Sequence, residues 1–158
     1  MAPGDLDSLG GQPPVAKDFV LEVDGLEIGM FGRVSGLEVS IEVDEYAEGG
    51  VSGFVHRFPG QMRWPNLVFS RGLARSDNLF TWMEKSAGAG FQAAGGKLVR
   101  NTASVTVLDA ARTRLRAYEI EGAFAVRWSG PSLDTLDGTM LSEELEVAHN
   151  GFRSSTLT

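Results

Sequence analysis

The residue types that most often carry chemistry are few in this chain and poorly spaced for it. The only two histidines, His56 and His149, lie in different extended segments, and neither has a second histidine at ligand spacing. There is no cysteine, which removes disulfides, thiolate metal sites and thiol nucleophiles together. Gly32-Arg33-Val34-Ser35-Gly36 puts its serine one position too late for a nucleophile elbow. Gly90 to Lys97 has a glycine-rich look, yet Phe91 stands where a phosphate loop needs its first glycine, and Leu98 replaces the magnesium-binding hydroxyl. Carboxylates are plentiful: Glu42, Asp44, Glu45 and Glu48 crowd one segment and Glu143, Glu144 and Glu146 another. A glycosidase pair needs two carboxylates facing each other across a pocket. These fall on alternating polar positions, so a solvated acidic face is the expectation. No catalytic, cofactor or metal site is expected.

Composition narrows the field further. A chain of 158 residues, 42% hydrophobic and 22% charged, is sized and mixed for one hydrophobic core. The net charge of −7 disfavours nucleic acid, whose phosphates need clustered cations; Arg112, Arg114 and Arg116 form the only dense basic group. No apolar run approaches the ~20 residues of a membrane span. Met1 to Lys17 has neither a basic start nor an apolar stretch, so no secretory signal is expected there. That segment holds three of the six prolines and no hydrophobic period. Residues 1–17 are expected to be a flexible arm, and 18–158 a single folded domain.

From Phe19 onward the pattern alternates with period two, the mark of half-buried strands. Phe19, Leu21 and Val23 share a face, and Asp24-Gly25 is a turn. In the cleanest strand, Leu37, Val39, Ile41 and Val43 oppose Glu38, Ser40, Glu42 and Asp44. A one-residue slip there would bury carboxylates, so its register is strongly specified. Glu48 to Gly53 reads as a loop, Pro59-Gly60 as a turn, and Asn66 to Arg71 as a strand with Leu67 and Phe69 on one side. One helix follows, capped by Ser76 or Asp77, with Leu79, Phe80, Trp82 and Met83 apolar and Gly88 ending it. Strands resume at Thr102–Leu108, at Arg114–Glu121 with a bulge expected at Ala117-Tyr118, and at Met140–His149. The expected fold is mainly β: two antiparallel sheets in a sandwich or partly closed barrel, with one flanking helix. The strand from Leu37 to Asp44 lacks the proline, glycine and lysine that guard an edge, and closing the sheet between copies is one way to protect it.

An ordered set of segments from Phe19 to Gly151 resembles the tube proteins of contractile phage tails and contractile injection systems. Phe31-Gly32-Arg33-Val34-Ser35-Gly36-Leu37 is similar to that family's "F-x-x-V-S-G-L" element, and Glu45-Tyr46-Ala47-Glu48-Gly49-Gly50 to its "E-Y-x-E-G-G". Phe58-Pro59-Gly60 with Asn66 to Gly72, then Phe80-Thr81-Trp82, Trp128-Ser129-Gly130-Pro131 and Glu143 to His149, follow in the family's order. Each is weak alone; the ordered set is specific. The resemblance implies a non-enzymatic, tail-tube-like subunit. Six copies would form a ring whose strands join into a barrel around a channel, and rings would stack inside a contractile sheath on a baseplate. A cargo effector would be a possible occupant of the channel. Assembly would take place in the bacterial cytoplasm, in a particle that stays inside or is released.

On that resemblance, Glu38, Glu42 and Asp44 are the candidate channel lining, and Gly49, Gly50, Arg71 and Gly72 the candidate turn and interface positions. Arg71 is expected to pair with a carboxylate of its own or the next subunit, and Trp82 to sit in the core. Two other readings stand beside the tube subunit. One is a baseplate-proximal tube initiator of the same fold; the other is a monomeric carbohydrate-binding β-sandwich. The second needs a groove of exposed aromatics, whereas Trp64, Trp82 and Trp128 fall in unrelated contexts.

Overall fold

The computed structural model describes residues 15–50, 53–87, 92–93, 95–98, 100–136, 138 and 140–156. Most of the expected N-terminal arm, the helix stop at Gly88 and much of the Gly90–Lys97 loop lie outside the described residues. Among the described residues the elements follow in the order β1 (Asp18–Val23), β2 (Leu26–Phe31), β3 (Arg33–Ser35), β4 (Ser40–Tyr46), β5 (His56–Arg63), β6 (Leu67–Gly72), α1 (Asn78–Ser86), β7 (Asn101–Leu108), β8 (Arg114–Ser129), β9 (Ser142–Ala148) and β10 (Phe152–Thr156). All pairings among them are antiparallel.

Seven strands form one continuous path, β2-β1-β7-β8-β9-β6-β3, and β10 adds on β8 as the eighth strand of the sheet. The sixteen-residue β8 belongs to two layers. Its first half pairs with β7 and β10, its second with β9. The handover falls at Gly122, where φ is +63° and an added Cβ would stand 2.6 Å from the Asn150 side chain. Both features favour a glycine there. The two layers close over Leu21, Ile28, Phe31, Leu67, Phe69, Val105, Ile120, Leu145 and Val147, each at most 1% exposed. Phe31 and Phe69 meet at 5.2 Å between ring centres.

Local chemistry explains the turns and the helix. Asp24 and Gly25 both have positive φ, the conformation a two-residue hairpin turn needs. The Asp24 carboxylate accepts the Thr102 amide at 3.1 Å and the Asn101 side-chain amide. Asn101 in turn accepts the Trp82 indole N–H at 3.1 Å, tying α1 to that turn. Leu79 and Trp82 are buried, so the apolar side of the helix faces the sheet as expected. Asp77 makes no side-chain cap; the Asn78 amide is instead received by Ser76 Oγ at 3.3 Å.

Three expectations need correction, and one strand was not expected at all. The strand read from Leu37 begins only at Ser40. Pro59-Gly60 does not reverse the chain: β5 runs through it, and Gly60-Gln61 oppose the single residue Glu42 as a bulge. The irregularities of β8 lie at Leu115 and Gly122 against β7 and at Val126 against β9, not at Ala117-Tyr118, where pairing with Thr106 and Val105 is regular. The last strand, β10, escaped notice because Arg153, Ser154, Ser155 and Thr156 carry no apolar alternation.

Candidate assembly surface

β4 and β5 pair with each other and, among the described residues, with no other strand. A two-stranded ribbon with both faces in water is marginal on its own, yet this one is apolar. Ile41 and Val43 share a face, with Met62 directly opposite Ile41. They are 51%, 57% and 53% exposed. On the other face Phe58 lies opposite Asp44 and His56 opposite Tyr46. Phe54, just before β5, and His56 and Phe58 on it form a short aromatic row, with ring centres 5.0 and 6.4 Å apart. Every residue of β4 is exposed. The alternation that looked like one buried and one solvated face is present, but nothing within the described chain covers the apolar face.

The acidic row sits on this arm only in part. Glu42 and Asp44 fall on the face opposite Ile41 and Val43. Glu38 lies before β4, with its amide donating to the Gly36 carbonyl at 2.7 Å. Glu42 is matched by Arg63 at 2.8 Å, a contact that raises the guanidinium's pKa. Glu45 is matched by Arg57 at 2.8 Å. Such exposed pairs are screened by water and contribute little to stability. Asp44 has no cation within salt-bridge distance among the described residues.

Gly49 and Gly50 form the turn beyond β4, Gly50 with φ +96°, and open space surrounds both. A Cβ at Gly72 would find only the Leu141 carbonyl, at 3.9 Å, so no close approach demands this glycine. Gly36 is different: a Cβ there would stand 2.2 Å from the Asn66 carbonyl, at φ +89°. Arg71 and Gly72 are on β6, in the body of the fold, and are not brought together with Gly49 and Gly50.

Arg71 finds its carboxylate within its own chain. Its Nε donates to Glu143 Oε1, and the Trp128 indole N–H donates to Glu143 Oε2 at 3.0 Å. The guanidinium also lies 4.8 Å from the centre of the Phe31 ring and fills the space above Gly29. Glu143 is therefore not part of a solvated acidic face, as the sequence suggested. It points inward with Leu145 and Val147, and only Glu144 and Glu146 point out. The period-two phase of β9 carried that signal, since Glu143 shares parity with those two apolar residues. Outside, Arg127 pairs with Glu144 at 2.9 Å and Glu146 at 3.1 Å. The Asn66 amide and Arg127 hold the Glu146 carboxyl below its ordinary range.

The root of the arm is clasped by aromatic packing. Trp64, which follows β5, meets Phe152 at 5.1 Å and His149 at 6.2 Å, and covers Gly151. His149 Nδ1 accepts the Gly151 amide at 3.1 Å, which leaves Nε2 to donate to the Pro65 carbonyl at 2.9 Å. No group of three or more His, Cys, Asp or Glu is arranged for a metal among the described residues, and no helix there is long and apolar enough to cross a membrane.

This architecture recurs in solved structures. A chain in the cryo-EM structure of an extracellular contractile injection system, the PVC sheath-tube complex in its extended state, superposes with a TM-score of 0.75 at 20% identity, over 99% of this chain and 100% of that one. A chain in the baseplate structure of the anti-feeding prophage gives 0.72 at 20% identity, over 92% and 97%. The crystal structure of an Hcp protein gives 0.51 at 15% identity, over 90% and 100%. At these identities the likeness is one of fold. Among curated proteins no relative matches. The family model described as T4-like virus tail tube protein gp19 matches residues 15–153, nearly the whole described fold, and the chain belongs to that family of structural tube proteins.

Proposed function

We propose that this chain is the repeating subunit of the inner tube of a phage-tail-like contractile injection system. Six copies form a ring, their strands join into a barrel around a channel, and rings stack into a tube inside a contractile sheath on a baseplate. The observation that carries this is the β4–β5 arm, whose apolar residues on both faces have nothing to cover them in a single copy. Exposed apolar surface of this extent marks a protein contact. Family membership and the likeness to a chain of a sheath-tube complex support the same reading.

The channel wall carries Glu38, Glu42 and Asp44, and the contacts between copies involve the Gly49-Gly50 turn and the segment around Arg71 and Gly72. Since Arg63 matches Glu42, unpaired charge on that wall comes mainly from Glu38 and Asp44. A negative wall repels polyanions and lets them pass without sticking. The channel delivers a cargo effector, and the particle assembles in the bacterial cytoplasm.

A second reading is a tube initiator of the same fold seated on the baseplate, favoured by the likeness to a chain of a baseplate structure. Electron microscopy of the purified chain separates the two. Long stacks of rings support the tube subunit, single rings support the initiator, and a persistent monomer contradicts both.

A further inference from the structure

Asn66, Asn78 and Asn101 are followed by leucine, leucine and threonine, and Asn150 alone among the asparagines is followed by glycine. An asparagine side-chain amide is open to attack by the backbone nitrogen of the next residue. A glycine offers that nitrogen with no side chain to hinder the approach. The product of the attack is a cyclic imide.

The surroundings of Asn150 supply each group this reaction uses. The nucleophile is the Gly151 amide nitrogen, whose N–H donates to His149 Nδ1 at 3.1 Å. Because His149 Nε2 donates to the Pro65 carbonyl at 2.9 Å, Nδ1 holds the free lone pair and can take that proton. The Arg100 guanidinium donates to Asn150 Oδ1 at 3.0 Å, the atom on which negative charge develops as the nitrogen attacks Cγ. Arg100 is itself held in place, by the Gly122 carbonyl at 3.3 Å and by the Phe124 ring centre at 5.1 Å. The leaving group is free. Asn66, Asn78 and Asn101 each donate a side-chain N–H to an acceptor of the fold, whereas Asn150 Nδ2 meets none among the described residues and the residue is exposed.

We infer that Asn150-Gly151 is a self-modification site that deamidates through the imide, with His149 as the base and Arg100 as the donor to the oxyanion. Gly151 N bonds to Cγ while His149 Nδ1 takes its proton. The Cγ–Nδ2 bond then breaks, and ammonia leaves with a proton returned from the imidazolium. Solvent water opens the ring. Attack at Cγ leaves aspartate in an unbroken backbone; attack at the Asn150 carbonyl carbon leaves isoaspartate, whose backbone is longer by a methylene.

The location gives the change a consequence. The Asn150 amide donates to the Glu121 carbonyl and the Glu121 amide to the Gly151 carbonyl, both at 2.9 Å, beside the corner where β8 passes between layers. The imide removes the N–H that His149 receives, and isoaspartate lengthens the segment between those two bonds. His149 packs on Trp64 at the root of the arm, so this clasp loosens as the protein ages. The inference is independent of the tube reading.

The test follows all the asparagines at once. Folded wild-type chain, and the same chain held unfolded in guanidinium, are incubated at mildly alkaline pH, digested with trypsin and read by mass spectrometry. Asn150 is expected to convert faster in the folded chain than in the unfolded one, to aspartate and isoaspartate, while Asn66, Asn78 and Asn101 stay intact. Arg100→Gln, on an exposed residue, is expected to slow the folded rate about tenfold and leave the unfolded rate unchanged. His149→Gln keeps an acceptor for the Gly151 amide but cannot hold its proton, and is expected to slow the folded rate by a similar factor. A folded rate at or below the unfolded one overturns the proposal, as does a folded rate that neither substitution changes.

Discussion

Arg71 and Glu143 stand directly opposite each other on β6 and β9, and both are almost wholly withdrawn from water, their side chains 7% and 4% exposed. A buried pair of this kind gains little over an apolar pair of the same volume, because desolvation offsets the attraction; losing one member leaves a buried charge unmatched. Glu143→Leu alone or Arg71→Met alone is expected to cost about 3–5 kcal/mol. The double variant is expected to recover most of that loss. Urea unfolding of all four proteins, analysed as a double-mutant cycle, measures it.

The recess for Arg71 is made by a glycine, and a second test follows from it. A Cβ at Gly29 would fall 1.9 Å from Arg71 Nη1, and the backbone there has φ +158°. Gly29→Ala must displace the guanidinium from Glu143, so it is expected to destabilise by about 2–3 kcal/mol, within the range for a broken buried network. The same substitution in the Arg71→Met/Glu143→Leu background is expected to cost clearly less. Equal costs in both backgrounds would show that the guanidinium is not what the glycine accommodates.

Much of the body could be read before any coordinates. Alternation in Leu21–Val23, Leu67–Phe69 and Leu145–Val147 marks residues that are in fact buried, because in a two-layer β fold parity decides which face meets the core. The arm misled for the same reason. Ile41 and Val43 alternate as cleanly as any buried strand, but periodicity reports a face that must be covered, not which chain covers it. Glu143 was missed because a carboxylate among carboxylates looks solvated; its parity with Leu145 was the available clue. The Arg71 partner and the Gly29 recess depend on strands distant in sequence, which local patterns do not encode.

The arm makes a prediction about association alone. Val43 is 57% exposed and packs on nothing in the body, so Val43→Asp is expected to change monomer stability by no more than about 0.5 kcal/mol. Assembly is expected to fail, since a charge would be carried into the contact. Thermal unfolding and sedimentation velocity on the same sample give the two readouts. Lost folding, rather than lost assembly, would mean that the arm is held by its own chain.

Acid should act through Glu146. Its carboxyl is held below the ordinary range first by the Asn66 amide and then by Arg127. A carboxylate with a depressed folded-state pKa stabilises fully above its unfolded value, and the contribution fades as pH falls through the folded value. Stability is therefore expected to decline on acidification below the usual glutamate range, and Glu146→Gln to flatten that part of the profile. Carboxyl chemical shifts followed against pH report the midpoint directly. The group is half-buried and still reached by solvent, so raised salt should shrink the effect.

The acidic row predicts transport rather than folding. Reversing Glu38, Glu42 and Asp44 to lysine should leave stacked tubes intact while changing which charged polymers enter them. Lysine at position 42 would also face Arg63, so some loss of arm stability is expected, and Glu38→Lys/Asp44→Lys is the cleaner variant. Uptake of a labelled polyanion into purified tubes, compared with wild type, reads the change. Tubes that no longer polymerise would place these residues in a contact between copies.

The most direct test is cryo-electron microscopy of the purified wild-type chain at high concentration. Stacked six-membered rings with Ile41, Val43 and Met62 covered by neighbouring copies are the predicted result. A chain that stays monomeric even beside intact sheath and baseplate, its arm still in water, would contradict the account.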